Sequence, residues 1–558
     1  MAFFLIVPDL SAQNLEKIGT KKPLKITGGI SANQIGYITS DSNSYRDPYT
    51  WVFTGNLNFN LYDWNVPVSY TVSNYDNSFQ QPFNQYSMHP TYKWLQLHGG
   101  YCSMTFSPYT LSGHTFLGGG VDLTPPGIFK FSAMAGRLQK AVAPDSNNLN
   151  IKPAFTRVGF GVKTGLIFEN SNIDFSLFRA SDNEASMRQL LIDSTIRPQE
   201  NLVLSVAGKT TIIQKIILSA EIAGSALTVD KTLQPSSDAN SNIYSSTGLF
   251  KMRQSSSIHN AYKTSIGYTF ENSNIGLAYE RIDPGYTTLG AYYSNNDFEN
   301  YTINASTAIF NNKVSLSISS GIQYDNLDNK KSSRTNRYVN SLNVSYNASE
   351  KLNLSGAYSN FSTYTNIRSQ FEVINQTTPF QNPDTLNYTQ LSQSANANIS
   401  YVLNNDQTKR QNISVNLNYM VANDKQASNS NKSDFVSSNL SYSHCLVPLN
   451  LTITGALNAN YNKMMSVNSV TIGPSVSINK LFLNKALRTS ITVSKNNSYS
   501  NGDIQNTCFI TRFSGGYAIM KKHNLSLSLI FSSKRSNYQK NANSINDLTG
   551  TLSYNYNF

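Results

Sequence analysis

The residues in this chain that could ligate a metal or move a proton are few: six histidines, three cysteines and a scatter of carboxylates. His89, His98, His114, His259, His444 and His523 show no metal-ligand spacing. Cys102, Cys445 and Cys508 are odd in number and far apart, which excludes a disulfide framework and a thiolate metal site. Asp325-Asn326-Leu327-Asp328-Asn329 offers calcium-compatible oxygens but lacks the glycine and the distant glutamate of a calcium loop, so it reads as a solvated loop. His98-Gly99-Gly100 is the kind of strand that supplies oxyanion donors, yet no Gly-x-Ser-x-Gly elbow accompanies it. Gly118-Gly119-Gly120 is followed by no Lys-Ser/Thr, so it bends or packs backbone rather than cradling phosphate. No cofactor, no metal and no catalytic set is expected. A hydrolase built at a sheet rim would need Ser/His or Asp/His pairs brought together from neighbouring strands.

The elements that must position these residues are strands. Apolar and polar residues alternate with period two over most of the chain. Leu57, Phe59 and Leu61 interleave with Asn56, Asn58 and Asn60. Val314, Leu316 and Ile318 interleave with Ser315, Ser317 and Ser319. Ile413, Val415, Leu417 and Tyr419 interleave with Ser414, Asn416 and Asn418. Each such segment has one apolar and one wet face. Charged residues are only 14% of the chain, and aromatics reach 11% with 33 Tyr and 28 Phe. A soluble sandwich or solenoid would carry Lys and Glu on its wet face; here that face is Ser, Thr and Asn. No stretch holds the roughly 20 apolar residues of a membrane helix. A closed barrel is the remaining way to cross lipid, because hydrocarbon leaves no backbone polar group unpaired.

Turns and loops alternate in length. Tight turns are predicted near Asn170, Gln214, Asn272, Asn312, Ser349, Asp406, Pro448, Asn484 and His523. Longer polar stretches fall at 229–258, 284–297, 326–336, 363–385, 424–432, 498–506 and 536–544. Short turns at one end and long loops at the other are the periplasmic and extracellular arrangement of outer-membrane barrels. The hexapeptide Phe168-Glu169-Asn170-Ser171-Asn172-Ile173 recurs as Phe270-Glu271-Asn272-Ser273-Asn274-Ile275, one hairpin solution used twice. The predicted fold is all-β: a single transmembrane antiparallel up-and-down β-barrel of about 24 strands, within roughly 22–26. It has one continuous strand over 91–105 and none over 76–90. Residues 106–126 break the rhythm. A wall strand at 115–123 would upset the up–down parity, so the segment is expected to fold inward and narrow the lumen; two short strands joined by a compact periplasmic turn are the alternative. Pro108, Tyr109, His114, Phe116, Gly118, Gly119 and Gly120 are its candidate constriction residues.

Residues 1–13 have the apolar run and small residues of a signal-peptide remnant. Residues 14–23 then form a periplasmic segment, and 24–558 the barrel. The net charge of +12 would suit nucleic acid, but the cations are scattered through turns (Lys330, Lys331; Lys409, Arg410; Lys521, Lys522) with no basic helix or stripe. Anionic lipid headgroups or an anion-favouring lumen fit better, and no nucleic-acid partner is expected. Tyr49, Trp51, Tyr62, Trp64, Tyr92, Trp94, Tyr292, Tyr293, Tyr338, Tyr364 and Tyr499 sit near strand ends, as interface aromatics do.

Leu548, Gly550, Leu552, Tyr554, Tyr556 and Phe558 share one face of the last strand. Of these, Leu552, Tyr554, Tyr556 and Phe558 resemble the assembly signal of Gram-negative outer-membrane β-barrel proteins. That resemblance implies insertion by the barrel-assembly machinery. In size the chain is similar to TonB-dependent receptors, but alternation begins by Leu24, which leaves no room for their plug. The expected function is a passive or gated, porin-like solute conduit in the cell outer membrane. The alternative is a structural or secretion-associated barrel working through a periplasmic or surface protein partner. A rim-located hydrolase ranks below both.

Overall fold

The computed structural model describes residues 24–42, 46–74, 83–144, 153–187, 196–236, 243–330, 336–360, 391–426, 429–464, 467–500, 502–520, 522–537 and 544–558. The two amino-terminal segments expected at 1–13 and 14–23, the loop at 363–385 and Tyr364 lie outside them.

The chain opens with β1 (Leu24–Thr39), β2 (Tyr49–Leu61), β3 (Trp64–Ser73), β4 (Gln85–Met88), β5 (Thr91–Tyr92), β6 (Leu95–Thr105), β7 (Ser112–Leu123), β8 (Phe129–Gln139) and β9 (Thr156–Ile167). Next come β10 (Ser171–Asn183), β11 (Glu200–Ile212), β12 (Ile216–Thr228), β13 (Ser256–Phe270), β14 (Ser273–Ile282), β15 (Phe298–Ile309), β16 (Val314–Asp325), β17 (Asn336–Asn347) and β18 (Leu352–Ser359). It closes with β19 (Leu391–Asn405), β20 (Lys409–Gln426), β21 (Asn429–Leu446), β22 (Leu451–Met464), β23 (Val467–Phe482), β24 (Leu487–Ser500), β25 (Asp503–Ile519), β26 (His523–Ser536) and β27 (Ile545–Asn557). Neighbours pair antiparallel, and β27 returns to β1 from Gly29↔Asn557 to Thr39↔Asp547, so the sheet closes on itself. The short β4 and β5 both lie between β3 and β6, so 27 strands fill 26 wall positions. For a round section at ~4.8 Å spacing and ~40° tilt, that wall is about 50 Å across.

Alternation puts apolar side chains outward. Leu548, Leu552 and Tyr554 are exposed on β27, whereas Thr549 and Thr551 are buried on its inner face. This inverts a soluble protein and is what lipid as the outer solvent selects. Inside, hydroxyls join across the ladder, as in Ser31–Thr54 at 2.6 Å, Ser69–Ser87 at 2.7 Å, Ser219–Ser265 at 2.7 Å and Ser414–Ser441 at 2.6 Å. The chain is an outer-membrane-type transmembrane β-barrel.

Every tight turn predicted above falls between two strands at the end of the wall that also holds Leu24 and Phe558. The repeated hexapeptide repeats its register, although Glu271 takes φ 46° and the equivalent Glu169 has no left-handed φ. Phe168 N–H donates to the Ser171 carbonyl in one copy, and Phe270 pairs with Ser273 in the other. Ser171 and Ser273 each bond a threonine of the next strand, Thr210 and Thr307, at 2.7 Å. The loops predicted at 424–432 and 498–506 are shorter than expected, because β20, β21, β24 and β25 run on to Gln426, Asn429, Ser500 and Asp503.

Two strand readings need correction. Residues 91–105 are not one strand: Lys93 has φ 51° and turns β5 back along β6. The wall also holds strands at 85–92 and 112–123. Pro90 hides the first, since a proline has no N–H for the ladder and splits that wall position into β4 and β5. The parity argument against the second failed because the first was missing; together they restore it. Residues 106–126 therefore do not fold inward as a unit, since Leu117–Leu123 pair with β6 on one edge and β8 on the other.

Candidate functional site: an inward hairpin tip and its docking loop

What does leave the wall is the upper part of the β6–β7 hairpin. β4 pairs with β6 only as far as Gly100, and β8 pairs with β7 only from Leu117 onward. Between those points, 101–116 is held by its own ladder and by neither neighbour. Freed from the wall, it buries its apolar side chains within the lumen. Cys102, Met104, Phe106, Leu111 and Phe116 form a cluster with inward-facing Met134, Leu138, Phe178, Ala180 and Leu227. Glycines make room for it. A Cβ at Gly161 would lie 2.7 Å from the Phe106 ring, and one at Gly120 would lie 2.5 Å from Met104 Sδ.

The loop 283–297 completes the packing. Leu289 joins the same cluster, while Tyr286 packs with Tyr109, Ala223, Ala261, Ile282 and Phe298. Tip and loop then satisfy one another's backbone. Tyr286 Oη donates to the Tyr109 carbonyl at 2.7 Å, Thr288 Oγ1 to the Thr110 carbonyl at 2.7 Å, and Ser112 N–H to the Gly290 carbonyl at 2.9 Å. Asn201 of β11, fully buried, clamps the loop to the wall by accepting from Leu289 N–H at 3.0 Å. Ser225 adds a bond to the Thr287 carbonyl at 2.6 Å.

At the apex, Tyr109 Oη donates to Glu280 of β14 at 2.5 Å. Lys163 Nζ of β9 donates to the Phe106 carbonyl at 3.0 Å and lies 3.3 Å from Asp174. Burial pushes the Tyr109 phenol well above the usual tyrosine range, and the Glu280 carboxylate adds to it. Tyr286 is pushed the same way by burial and then by Glu221.

Of the constriction residues expected from sequence, Tyr109, His114 and Phe116 lie buried in the tip, and Pro108 is exposed at its apex. His114 stacks on Tyr292 with ring centroids 4.2 Å apart. Gly118 and Gly120 sit on the inner face of β7. A Cβ on Gly118 would collide with the Ala135 carbonyl, so that glycine sets the close approach of β7 and β8. Gly119 faces outward and is exposed. Leu552, Tyr554, Tyr556 and Phe558 lie along the outer face of the closing strand. Sequence reading placed a polar loop at 284–297 but missed its docking in the lumen, and it missed the inner-face Glu221, Glu280, Lys163 and Asn201. The loop carried a signal: Gly285-Tyr286-Thr287-Thr288-Leu289-Gly290-Ala291-Tyr292-Tyr293 is too apolar for a water-exposed loop.

A line of polar side chains crosses the wall nearer the short-turn end. Ser132 donates to Asp122, Asp122 holds His98 Nε2 at 2.8 Å, and His98 Nδ1 meets His89 Nδ1 at 2.9 Å. The carboxylate stands between serine and imidazole, so no imidazole reaches the Ser132 hydroxyl and the order is not that of a serine nucleophile with a histidine base. The line does span the break at Pro90, where His89 N–H reaches back to the Pro67 carbonyl. Among the described residues, no three His, Cys, Asp or Glu side chains converge as a metal site.

No family model matches the sequence, and no curated protein does. Solved structures of similar shape exist at low identity. The P pilus usher (PapC) translocation pore matches at 10% identity over 96% of this chain and 99% of its own, with a TM-score of 0.37. The ferric citrate transporter FecA matches at 8% over 95% and 79%, with a TM-score of 0.39. A bacterial polysaccharide outer membrane secretin matches at 10% over 62% and 100%, with a TM-score of 0.26.

Proposed function

We propose that this chain is a conduit of the bacterial outer membrane for polar solutes, narrowed along one side by the 101–116 tip and the 283–297 loop. The observation that carries this reading is the tip itself. It is released from both wall neighbours and bonded to a loop inside the lumen. A packed segment in a lumen that is otherwise wet costs conformational entropy and is retained where it restricts passage. The tip lines one side of a barrel whose wall is about 50 Å across, so it acts as a partial gate and not a stopper. Assembly through the barrel machinery would read Leu552, Tyr554, Tyr556 and Phe558.

Thr105 and Ser112 are register partners, so an Asn-Gly turn replacing Phe106–Leu111 shortens the tip without touching the wall. Single-channel conductance in planar bilayers then compares wild type with this variant. Larger steps from the shortened chain support the gate. Equal steps remove the gate and leave the conduit. Folded protein that conducts in neither form removes the conduit.

The bore favours a second reading as well. It is far wider than a small solute requires, which suits a barrel that passes or holds a protein partner. Silence in bilayers from both folded forms would move the conclusion there.

A further inference from the structure

The short-turn end of the barrel carries side chains that its turns should reject. Tyr62, Ile213, Phe310, Leu483 and Met520 occupy turn positions with φ of 53°, 51°, 53°, 51° and 51°. This left-handed region suits Gly, Asn and Asp, and a bulky or β-branched residue there is disfavoured. The same five side chains are 56%, 79%, 72%, 63% and 85% exposed, so packing within the barrel does not offset the strain. Backbone conformation and apolar exposure are thus both unfavourable at the same atoms, in five separate hairpins. The folded chain in water gives no reason to keep them.

Lysines follow closely. Lys215, Lys313, Lys485 and Lys522 stand within three residues of Ile213, Phe310, Leu483 and Met520, and all four are exposed. An apolar tip beside a long-stemmed cation matches a lipid–water boundary, where the tip enters the acyl edge and the ammonium meets phosphate. These turns join β2 to β3, β11 to β12, β15 to β16, β23 to β24 and β25 to β26, so they are spread around the closed wall. A surrounding leaflet meets all of them, whereas a single protein footprint would cluster them.

We infer that these turn tips form an anchoring crown that inserts into the headgroup region of an anionic phospholipid leaflet, fixing the depth of the barrel in the membrane. The inference needs only that the barrel spans a bilayer, and it stands or falls apart from what the lumen passes.

Tryptophan placed singly as Ile213→Trp, Phe310→Trp or Met520→Trp reports it, read as the difference from wild type in phosphatidylcholine vesicles with and without phosphatidylglycerol. Gln407→Trp, in the polar turn between β19 and β20, is the control. Lipids brominated beside the headgroup should quench the crown positions about twofold or more above the control, and phosphatidylglycerol should deepen the effect. Quenching by aqueous acrylamide at the level of the control, with none from brominated lipid, would overturn the crown and point to a protein or to water. A variant with Asn at all five positions adds an independent readout, because Asn relieves the backbone strain. A lower unfolding midpoint in anionic vesicles supports anchoring; an equal or higher one refutes it.

Discussion

One wall encloses two different interiors. Over β6 to β15 the inner face is packed against inserted chain: aromatic rings meet glycines, and several charges are paired. Arg157 grips Asp182 through Nε at 2.7 Å and Nη2 at 3.0 Å, and Asn201 clamps the loop 283–297. Across β19 to β23 the inner face carries a belt of amides instead. Asn398 donates to Asn416, Asn416 to Asn439 at 3.4 Å, Asn439 to Asn458 at 2.7 Å, and Asn458 to the Gly473 carbonyl at 3.3 Å. These residues stand directly opposite one another on successive strands. The first interior resembles a soluble core, built by excluding water. The second is held by amide-to-amide bonds from strand to strand, with Asn439 and Asn458 themselves buried in the belt. The wall alone therefore does not decide what the lumen is; the inserted chain does.

Removing a core ring should produce the largest contrast. Phe178 is fully buried against the tip and the Gly290 backbone. Phe178→Ala should cost about 3–5 kcal/mol, read as the urea unfolding midpoint in vesicles. A cost near zero would mean that the tip is not docked in the membrane. The clamp comes next. Asn201→Ala leaves the Leu289 N–H and its neighbours without a buried partner, at about 1–3 kcal/mol, and should make channel steps noisier as the loop loosens. On the other side, Asn439→Ala opens one link of the amide belt, where Asn439 and Asn458 are themselves buried, and should cost about 1–2 kcal/mol, less than the ring because no packed side chain is lost. If Asn439→Ala matched Phe178→Ala, the distinction between an interior held by ring packing and one held by amide bonds would fail.

The same contrast decided what was legible in the sequence. The amide side reads directly: alternation of Val, Leu and Tyr with Ser and Asn places β16 to β27 on both faces correctly, because their inner faces are largely Ser, Thr and Asn and the period is kept. The packed side obscures itself. In β7, inward Phe116 is as apolar as outward Leu117 and Val121, and Gly118 to Gly120 carry no side chain, so period two vanishes and the segment looks unlike a wall strand. β4 and β5 vanish for another reason, the proline that splits them. The candidate tip residues Tyr109, His114 and Phe116 stood out because an apolar run interrupted a polar rhythm. Glu280, Glu221 and Asn201 did not, since they sit at ordinary inward positions of regular strands. Their role depends on a loop more than 170 residues away along the chain for Tyr109–Glu280, a separation that no local pattern encodes.

The smallest effect tests whether charge alone can separate the two interiors. The Tyr109 and Tyr286 phenols are both raised, by burial first and then by the nearby Glu280 and Glu221 carboxylates. A raised pKa in the folded state favours the neutral phenol. The docking it supports is fully present below the unfolded value of about 10 and is lost as pH rises beyond that toward the folded value. Conductance should accordingly be flat up to about pH 10 and then climb, as ionised phenols repel the carboxylates and the tip loosens. In a Tyr109→Phe/Tyr286→Phe double variant there is no phenol to ionise, and the alkaline climb should disappear even if the resting conductance is higher. A climb that survives the double substitution would assign the alkaline response to lysines elsewhere in the lumen, and the packed side would then be held by shape and not by its phenols.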